Sequence, residues 1–430
     1  MLTQTVASPR SSPPVTPVVQ RPTRKPSLLT IGEAAFAVYA LLFFSGGMLT
    51  LLGSSALFSL MRYSIMGISG VLVAIRWKRS LAVAQKGGLL WLLLLMMCFS
   101  IFWSIYPATS YYSIKGQIIP YSLFCVYFAS RFEMRHQLRL FGTALAITAF
   151  FSLVYALLFP SVGVHVSPIN GEVAWRGIYV DKNAFSGMGT ITLLVYFVLS
   201  LYNSNKLEKQ IARVGVAATI CLILLSASLT GLIVFLVLLT CLLVFTRYRW
   251  QGKRTVLVSD ILLFVLLFGL GFIIIYWFDI TTALGKDPTM SSRTTIWAGT
   301  MEHIWQRPWL GYGLEAFWQD HNPKAVEVGR VVHRNFVPGH SHNGVIEIWL
   351  DIGLVGLFLF FAGYLSTAIL AFKRAYRASQ PEDFWPLAMV LLMLFYNITE
   401  AWSYKQGNFF WVIYMITFLS VRVWPRQSST

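Results

Sequence analysis

The sequence predicts an all-α, polytopic integral membrane protein, and three observations carry that prediction. The chain is 56% apolar and only 12% charged over 430 residues, where a soluble protein carries about 25% charged residues. Apolar runs such as Leu89–Phe102, Ile191–Leu201, Leu232–Phe245 and Leu257–Phe278 recur along the whole chain, so this is no soluble domain with a single anchor. Basic residues cluster in the short connections between such runs. Within a bilayer, backbone polar groups find partners only in the protein, which leaves helices or a closed barrel. Segments that are apolar all round and about 20 residues long are helices.

Taken in order, the helices are read at 31–52, 57–75, 88–106, 114–130, 140–159, 184–202, 212–227, 229–246, 257–278, 343–370, 385–400 and 408–423, about 12 crossings. With the N-terminus inside, the inner connections hold Arg76, Lys78, Arg79 and Lys86, then Arg131, Arg135 and Arg139, then Lys206, Lys209 and Arg213. Further along they hold Arg247, Arg249, Lys253 and Arg254, and then Lys373, Arg374 and Arg377. The short outer connections carry almost none, so both termini are read as cytoplasmic. Ser226–Gly231 is read as a turn between two helices, because removing a crossing there would put every later basic loop on the opposite side.

Residues 1–30, rich in Pro, Ser and Thr and carrying Arg10, Arg21, Arg24 and Lys25, read as a disordered basic tail. Residues 31–425 read as one transmembrane domain and 426–430 as a second cytoplasmic tail. The net charge of +17 would suggest nucleic acid on a soluble protein, but here loop asymmetry accounts for it. Cys98, Cys125, Cys221 and Cys241 lie inside apolar runs and read as small hydrophobes, with no disulfide or metal spacing.

Two outer segments, 160–183 and 279–341, exceed ordinary loop length. The second, between the ninth and tenth helices, is rich in tryptophan, and short helices are expected at Arg293–Trp305 and Leu314–Gln319. Both segments hold basic residues that break the loop asymmetry: Arg176 and Lys182 in the first, and Arg293, Arg307, Lys324, Arg330 and Arg334 in the second. Long loops translocate regardless of charge, so any one of these is as readily a solvated side chain. Several converging would make a phosphate site, which arginine recognises in bidentate fashion.

His340-Ser341-His342-Asn343 stands at the mouth of the tenth helix. His342, Trp349, Gly353 and Gly356 fall on one helical face, where the glycines would admit another helix or a lipid chain. Asn343, Glu347 and Asp351 form a neighbouring polar stripe expected to face the protein interior. A neutral histidine at such a mouth suits a general base, although an interfacial anchor is the plainer reading. Arg62 and Glu400 are further intramembrane charges, read as structural ion pairs at least as readily as catalytic groups. No Gly-rich phosphate loop, Cys/His metal cluster or Ser-His-Asp spacing stands out.

At these residues the chain resembles the O-antigen ligase and O-antigen polymerase superfamily. His342-Asn343, nine residues, then Gly353-Leu354-Val355-Gly356 fits its H-[N/S/Q]-x9-G-x-x-G pattern. Arg293-Thr294-Thr295-Ile296-Trp297 with Pro308-Trp309-Leu310-Gly311-Tyr312-Gly313 is similar to the segment before that histidine, and Arg176–Asn183 to an earlier loop. Phe395-Tyr396-Asn397-Ile398-Thr399-Glu400 resembles the exopolysaccharide-production branch. One departure is Ser228-Leu229-Thr230-Gly231, where many members carry an arginine in a Ser-Arg-Thr-Gly turn.

The resemblance implies a GT-C-like membrane fold and transfer of a glycan from an undecaprenyl-diphosphate carrier at the periplasmic face of the bacterial inner membrane. It implies no nucleotide, cofactor or metal. On this reading His342 takes the proton from the attacking hydroxyl, Arg293 and Arg176 stabilise the leaving diphosphate, and Lys182, Asn343, Arg330, Arg334 and Glu347 contact substrate. His340 is the rival base. A chain-length regulator and export proteins are the implied partners. The acceptor is a growing exopolysaccharide in a polymerase or a lipid A-core in a ligase. A secondary transporter or flippase of lipid-linked sugars is the alternative from another class, and the absence of a visible repeat between the halves weighs against it.

Overall fold

In the computed structural model, the described residues are 27–166, 173–202, 206–247, 292–332, 334, 336–378, 380–401 and 407–423. The first twelve helices are α1 (Leu28–Phe44), α2 (Gly47–Leu52), α3 (Ala56–Ile75), α4 (Trp77–Ala84), α5 (Gly88–Phe99), α6 (Pro107–Ser113), α7 (Ile119–Arg131), α8 (Met134–Leu158), α9 (Pro160–Gly163), α10 (Lys182–Ser200), α11 (Lys206–Leu225) and α12 (Leu229–Arg247). After them come α13 (Arg293–Gln306), α14 (Pro323–Arg330), α15 (Gly344–Tyr376), α16 (Trp385–Thr399) and α17 (Phe409–Val423). Among the described residues the only strands are β1 (Val164–Val166) and β2 (Val173–Trp175), an antiparallel pair with His165 opposite Ala174.

Five helical stretches are long and apolar enough to cross a membrane: Ala56–Ile75, Trp77–Phe102, Met134–Leu158, Lys182–Ser200 and Gly344–Tyr376. Shorter apolar helices, among them α1 and α17, pack between them. The protein is therefore an all-α, multi-pass membrane protein. The helix read at 257–278, the basic residues Arg249, Lys253 and Arg254, and the tail 426–430 lie outside the described residues, as does nearly all of the tail 1–30.

The centre is α17. Every residue from Phe409 to Ser420 is buried, so a helix apolar all round sits where no face meets lipid or water. It packs against α7, α15 and α16. At one end of the bundle Glu33, 4% exposed, bridges Arg76 at 2.5 Å and Arg131 at 2.6 Å. The starts of α1 and the ends of α3 and α7 are thereby tied together, and Arg374 pairs with Asp383 at 2.7 Å in another of the basic connections.

Several boundaries differ from the sequence reading. The helix expected at 31–52 breaks at Ser45–Gly46, where Gly46 takes a φ of 86° and begins α2. The helix expected from 114 starts at Pro107 and passes through a π-helical turn, Ile114–Ile118. The outer helix expected at Arg293–Trp305 is α13, but Leu314–Gln319 forms turns. There the backbone is committed elsewhere: Leu314 N–H donates to Ser100 Oγ and Glu315 N–H to Asp351 Oδ2. The second outer helix is α14, started by Asn322, which accepts from Lys324 N–H. Ser226–Ser228 does form a turn between two helices.

The largest departure lies in α15. Gly353 is not helical, with φ 68° and ψ −173°, a region open essentially to glycine alone. The segment Pro308–Gly313 crosses the helix at this break. Leu354 N–H donates to Pro308 O at 2.8 Å, and Tyr312 N–H and Gly313 N–H donate to Leu350 O and Asp351 O. The crossing strap thus takes up the backbone groups that the break releases. A Cβ on Gly353 would lie 2.1 Å from Trp309 O.

Candidate active site

His342 is not on the helix. It precedes α15 with a φ of 54°, so the expected shared face of His342, Trp349, Gly353 and Gly356 does not exist. Asn343 is the helix cap, its Oδ1 accepting from Val345 N–H at 3.0 Å and Ile346 N–H at 3.1 Å. Its amide donates to Ile398 O at 3.1 Å, which binds the start of α15 to the end of α16. Glu347 is fully buried and its Oε2 accepts from Ser341 N–H at 2.8 Å and Trp318 Nε1–H at 3.2 Å. Sequence reasoning gave Asn343 and Glu347 to substrate. In the structure their polar atoms hold the loop that presents His342.

The C-terminal end of α16 supplies the partner. Glu400, 6% exposed, is the C-cap of that helix. Its Oε1 accepts from Arg293 Nη2 at 2.5 Å, and its Oε2 lies 3.2 Å from His342 Nδ1. One carboxylate thus joins an arginine from the first turn of α13 to the histidine before α15. His340 stacks beside His342 with ring centroids 4.0 Å apart, and its Nδ1 accepts the backbone N–H of His342.

His340, His342 and Glu400 offer three ligand atoms within 4.8 Å of one another, a geometry that a metal ion could use. Against that use, the Arg293 guanidinium already sits on Glu400 and supplies the positive charge a divalent ion would bring.

A cavity of about 290 Å³ opens beside this group. His340 and Glu400 form one wall, Asp181 and Tyr179 another, and the α1–α2 break and the start of α17 close the rest. Asp181 caps α10, accepting from Asn183 N–H and Ala184 N–H at 2.8 Å each. Burial pushes its carboxyl up from the ordinary carboxylate value, Glu400 adds to the rise, and the two N–H donors and His342 oppose it.

Arg176 bonds to carbonyls of its own loop. Nε donates to Val162 O at 2.6 Å and Nη1 to Val180 O at 3.2 Å, and Val180 lines the cavity. Lys182 is the first residue of α10, next to Asp181. Arg330 and Arg334 are exposed at and beyond the end of α14, and among the described residues no hydrogen bond or ion pair joins them to the Glu400 group. The turn that departs from the family pattern abuts the same end of the bundle, with Ser228 Oγ donating to Asn183 Oδ1 at 3.0 Å.

The structure therefore unites Arg293 with His342, sets the rival histidine His340 and the intramembrane Glu400 beside them, and adds Asp181, which the sequence reading did not single out. Glu400 carried a signal: it is the sole carboxylate after Asp383.

Comparison with known proteins bears on these same residues. A family model described as O-antigen ligase matches residues 214–361, which include Arg293 and His342. The exopolysaccharide production protein ExoQ of Rhizobium meliloti is 24% identical over 330 residues, 73% of this chain and 72% of that protein. The chain is O-antigen ligase-like. A putative polysaccharide ligase of Rickettsia felis is 28% identical over 146 residues, 32% of this chain and 34% of the relative. One from Rickettsia conorii is 27% identical over the same length, so the chain spans about a third of each of these ligases. The O-antigen ligase match ends before Glu400.

Proposed function

We propose that this protein is a membrane glycosyltransferase that polymerises exopolysaccharide or O-antigen-type repeat units from undecaprenyl-diphosphate-linked donors at the periplasmic face of a bacterial inner membrane. The likeness to ExoQ and to polysaccharide ligases supports the ligase/polymerase class and makes a lipid-linked glycan the substrate class. The observation that carries the reading is the Glu400 carboxylate shared between Arg293 and His342.

In this mechanism Glu400 accepts from His342 Nδ1–H, which fixes the tautomer and leaves Nε2 as the base. Nε2 takes the proton of the acceptor hydroxyl while its oxygen attacks the anomeric carbon. The bond from that carbon to the diphosphate oxygen breaks, its electron pair leaves with the lipid diphosphate, and the configuration inverts. Arg293 uses one N–H on Glu400 and has others of its five for the developing phosphate charge. Arg176 and Lys182 bind the donor diphosphate from the cavity's outer rim, and Arg330 and Arg334 contact the glycan farther out. A chain-length regulator and export proteins act on the product.

The test is glycan transfer in proteoliposomes with a synthetic undecaprenyl-diphosphate oligosaccharide, products resolved by length. Wild type is expected to give ladders of repeat units. His342→Ala should lower transfer by about 10²–10⁴-fold, and Arg293→Ala by about 10²–10³-fold. Long polymer from correctly inserted variants would overturn the mechanism. Transfer to added lipid A-core but not to a second repeat unit would make the protein a ligase, a reading favoured by the match to an O-antigen ligase family model.

A further inference from the structure

A second cationic group lies away from Glu400. Arg62 sits two turns into the membrane-spanning helix α3, about 10 Å from its start, and is 3% exposed. Among the described residues no carboxylate lies within 4.0 Å of it, and its Nε has no hydrogen-bond acceptor. Its single hydrogen-bond partner among the described residues is Tyr112 Oη, 3.3 Å from Nη1. The guanidinium stands 5.2 Å from the ring centroids of both Tyr63 and Tyr112. The exposed Lys115 brings a second cation to Tyr63, its Nζ 5.3 Å from the ring centroid.

The backbone makes room for this arrangement. Lys115 and Gly116 lie in the π-helical turn, an irregularity frequent at functional sites. A Cβ on Gly116 would come within 2.8 Å of Arg62 Nη1. Glu315, from the segment packed against that turn, accepts from Ser113 Oγ and Gln117 Nε2 instead. Tyr63 and Tyr112 are 37% and 51% exposed, so the group opens onto the surface that faces lipid.

A buried, always-charged guanidinium in a membrane helix is costly unless an anion offsets it. Two aromatic faces and one phenol do not supply a negative charge. The anion available at this depth, close to the end of a spanning helix, is a lipid phosphate. Arginine binds phosphate through paired donors, lysine adds a point charge, and tyrosine hydroxyls complete the oxygens. We propose that Arg62 and Lys115, framed by Tyr63 and Tyr112, hold the phosphate of a membrane lipid on the outside of the helix bundle, apart from the Arg293–Glu400–His342 group. The same chemistry suits a phospholipid headgroup or a polyprenyl phosphate.

The experiment is native mass spectrometry of the full chain titrated with three lipids: phosphatidylglycerol, undecaprenyl phosphate, and a glucosyl diacylglycerol that has no phosphate. Wild type is expected to retain the phosphate lipids over the phosphate-free one. Lys115→Ala, at an exposed position, should weaken retention about fivefold, and Arg62→Gln by at least as much. Tighter binding of one phosphate lipid identifies the source. Equal retention of the phosphate-free lipid overturns the proposal, as does Lys115→Ala binding like wild type.

Discussion

Glu400 receives two groups that are 107 and 58 residues away in sequence. Its charge was visible in the sequence, but its partners were not, because nothing local in a helix end announces which distant loop folds onto it. The reverse held for Asn343 and Glu347. They were read as facing substrate, since capping and loop bracing use the same residue types as ligand binding. Arg176 braces its own loop through Nε and Nη1, which leaves its other N–H groups for the proposed diphosphate contact. If Glu400 orients the base, Glu400→Gln, correctly folded, should lower kcat by about 10²–10³-fold in the proteoliposome transfer assay. An unchanged kcat would assign the carboxylate to ion pairing alone.

Among the elements, long apolar helices were legible and their interruptions were not. Composition locates α3, α10 and α17 to within two residues because burial in lipid or protein demands apolar side chains throughout. The break in α15 escaped because periodicity assumes a continuous helix, and a lone glycine does not reveal which segment crosses it. Leu314–Gln319 was expected as a helix from the aromatic content of its segment, but its first N–H groups go to Ser100 and Asp351. Gly353→Ala should destabilise the fold by about 2–4 kcal/mol, from a glycine-only conformation and a clash with backbone. Gly363→Ala, in the same helix, meets Phe418 and Leu89 at ordinary contact distances of 3.4 and 3.8 Å and should cost less. Thermal unfolding of the two variants in detergent, followed by fluorescence, makes the comparison.

For the whole molecule, the two ends of the bundle differ in chemistry. Glu33 with Arg76 and Arg131 marks one end, and Arg293, Glu400 and His342 mark the other. The loop charges in the sequence imply that the first faces the cytoplasm. In a background without Cys98, Cys125, Cys221 and Cys241, a cysteine at the exposed Asp320 should react with an impermeant maleimide on intact cells. One at the exposed Lys78 should react only after permeabilisation. Labelling of both from outside would overturn the assigned orientation.

The strap across Gly353 also sets how this protein can be recombined. Residues 344–352 form the first part of α15, yet Leu350 O and Asp351 O at its end accept from Tyr312 and Gly313 of the strap. A chimera that takes the outer segment from a relative and stops at the histidine would pair a foreign strap with a native break. The exchangeable unit is the stretch from 292 to 356, cut inside the helix and not at its mouth.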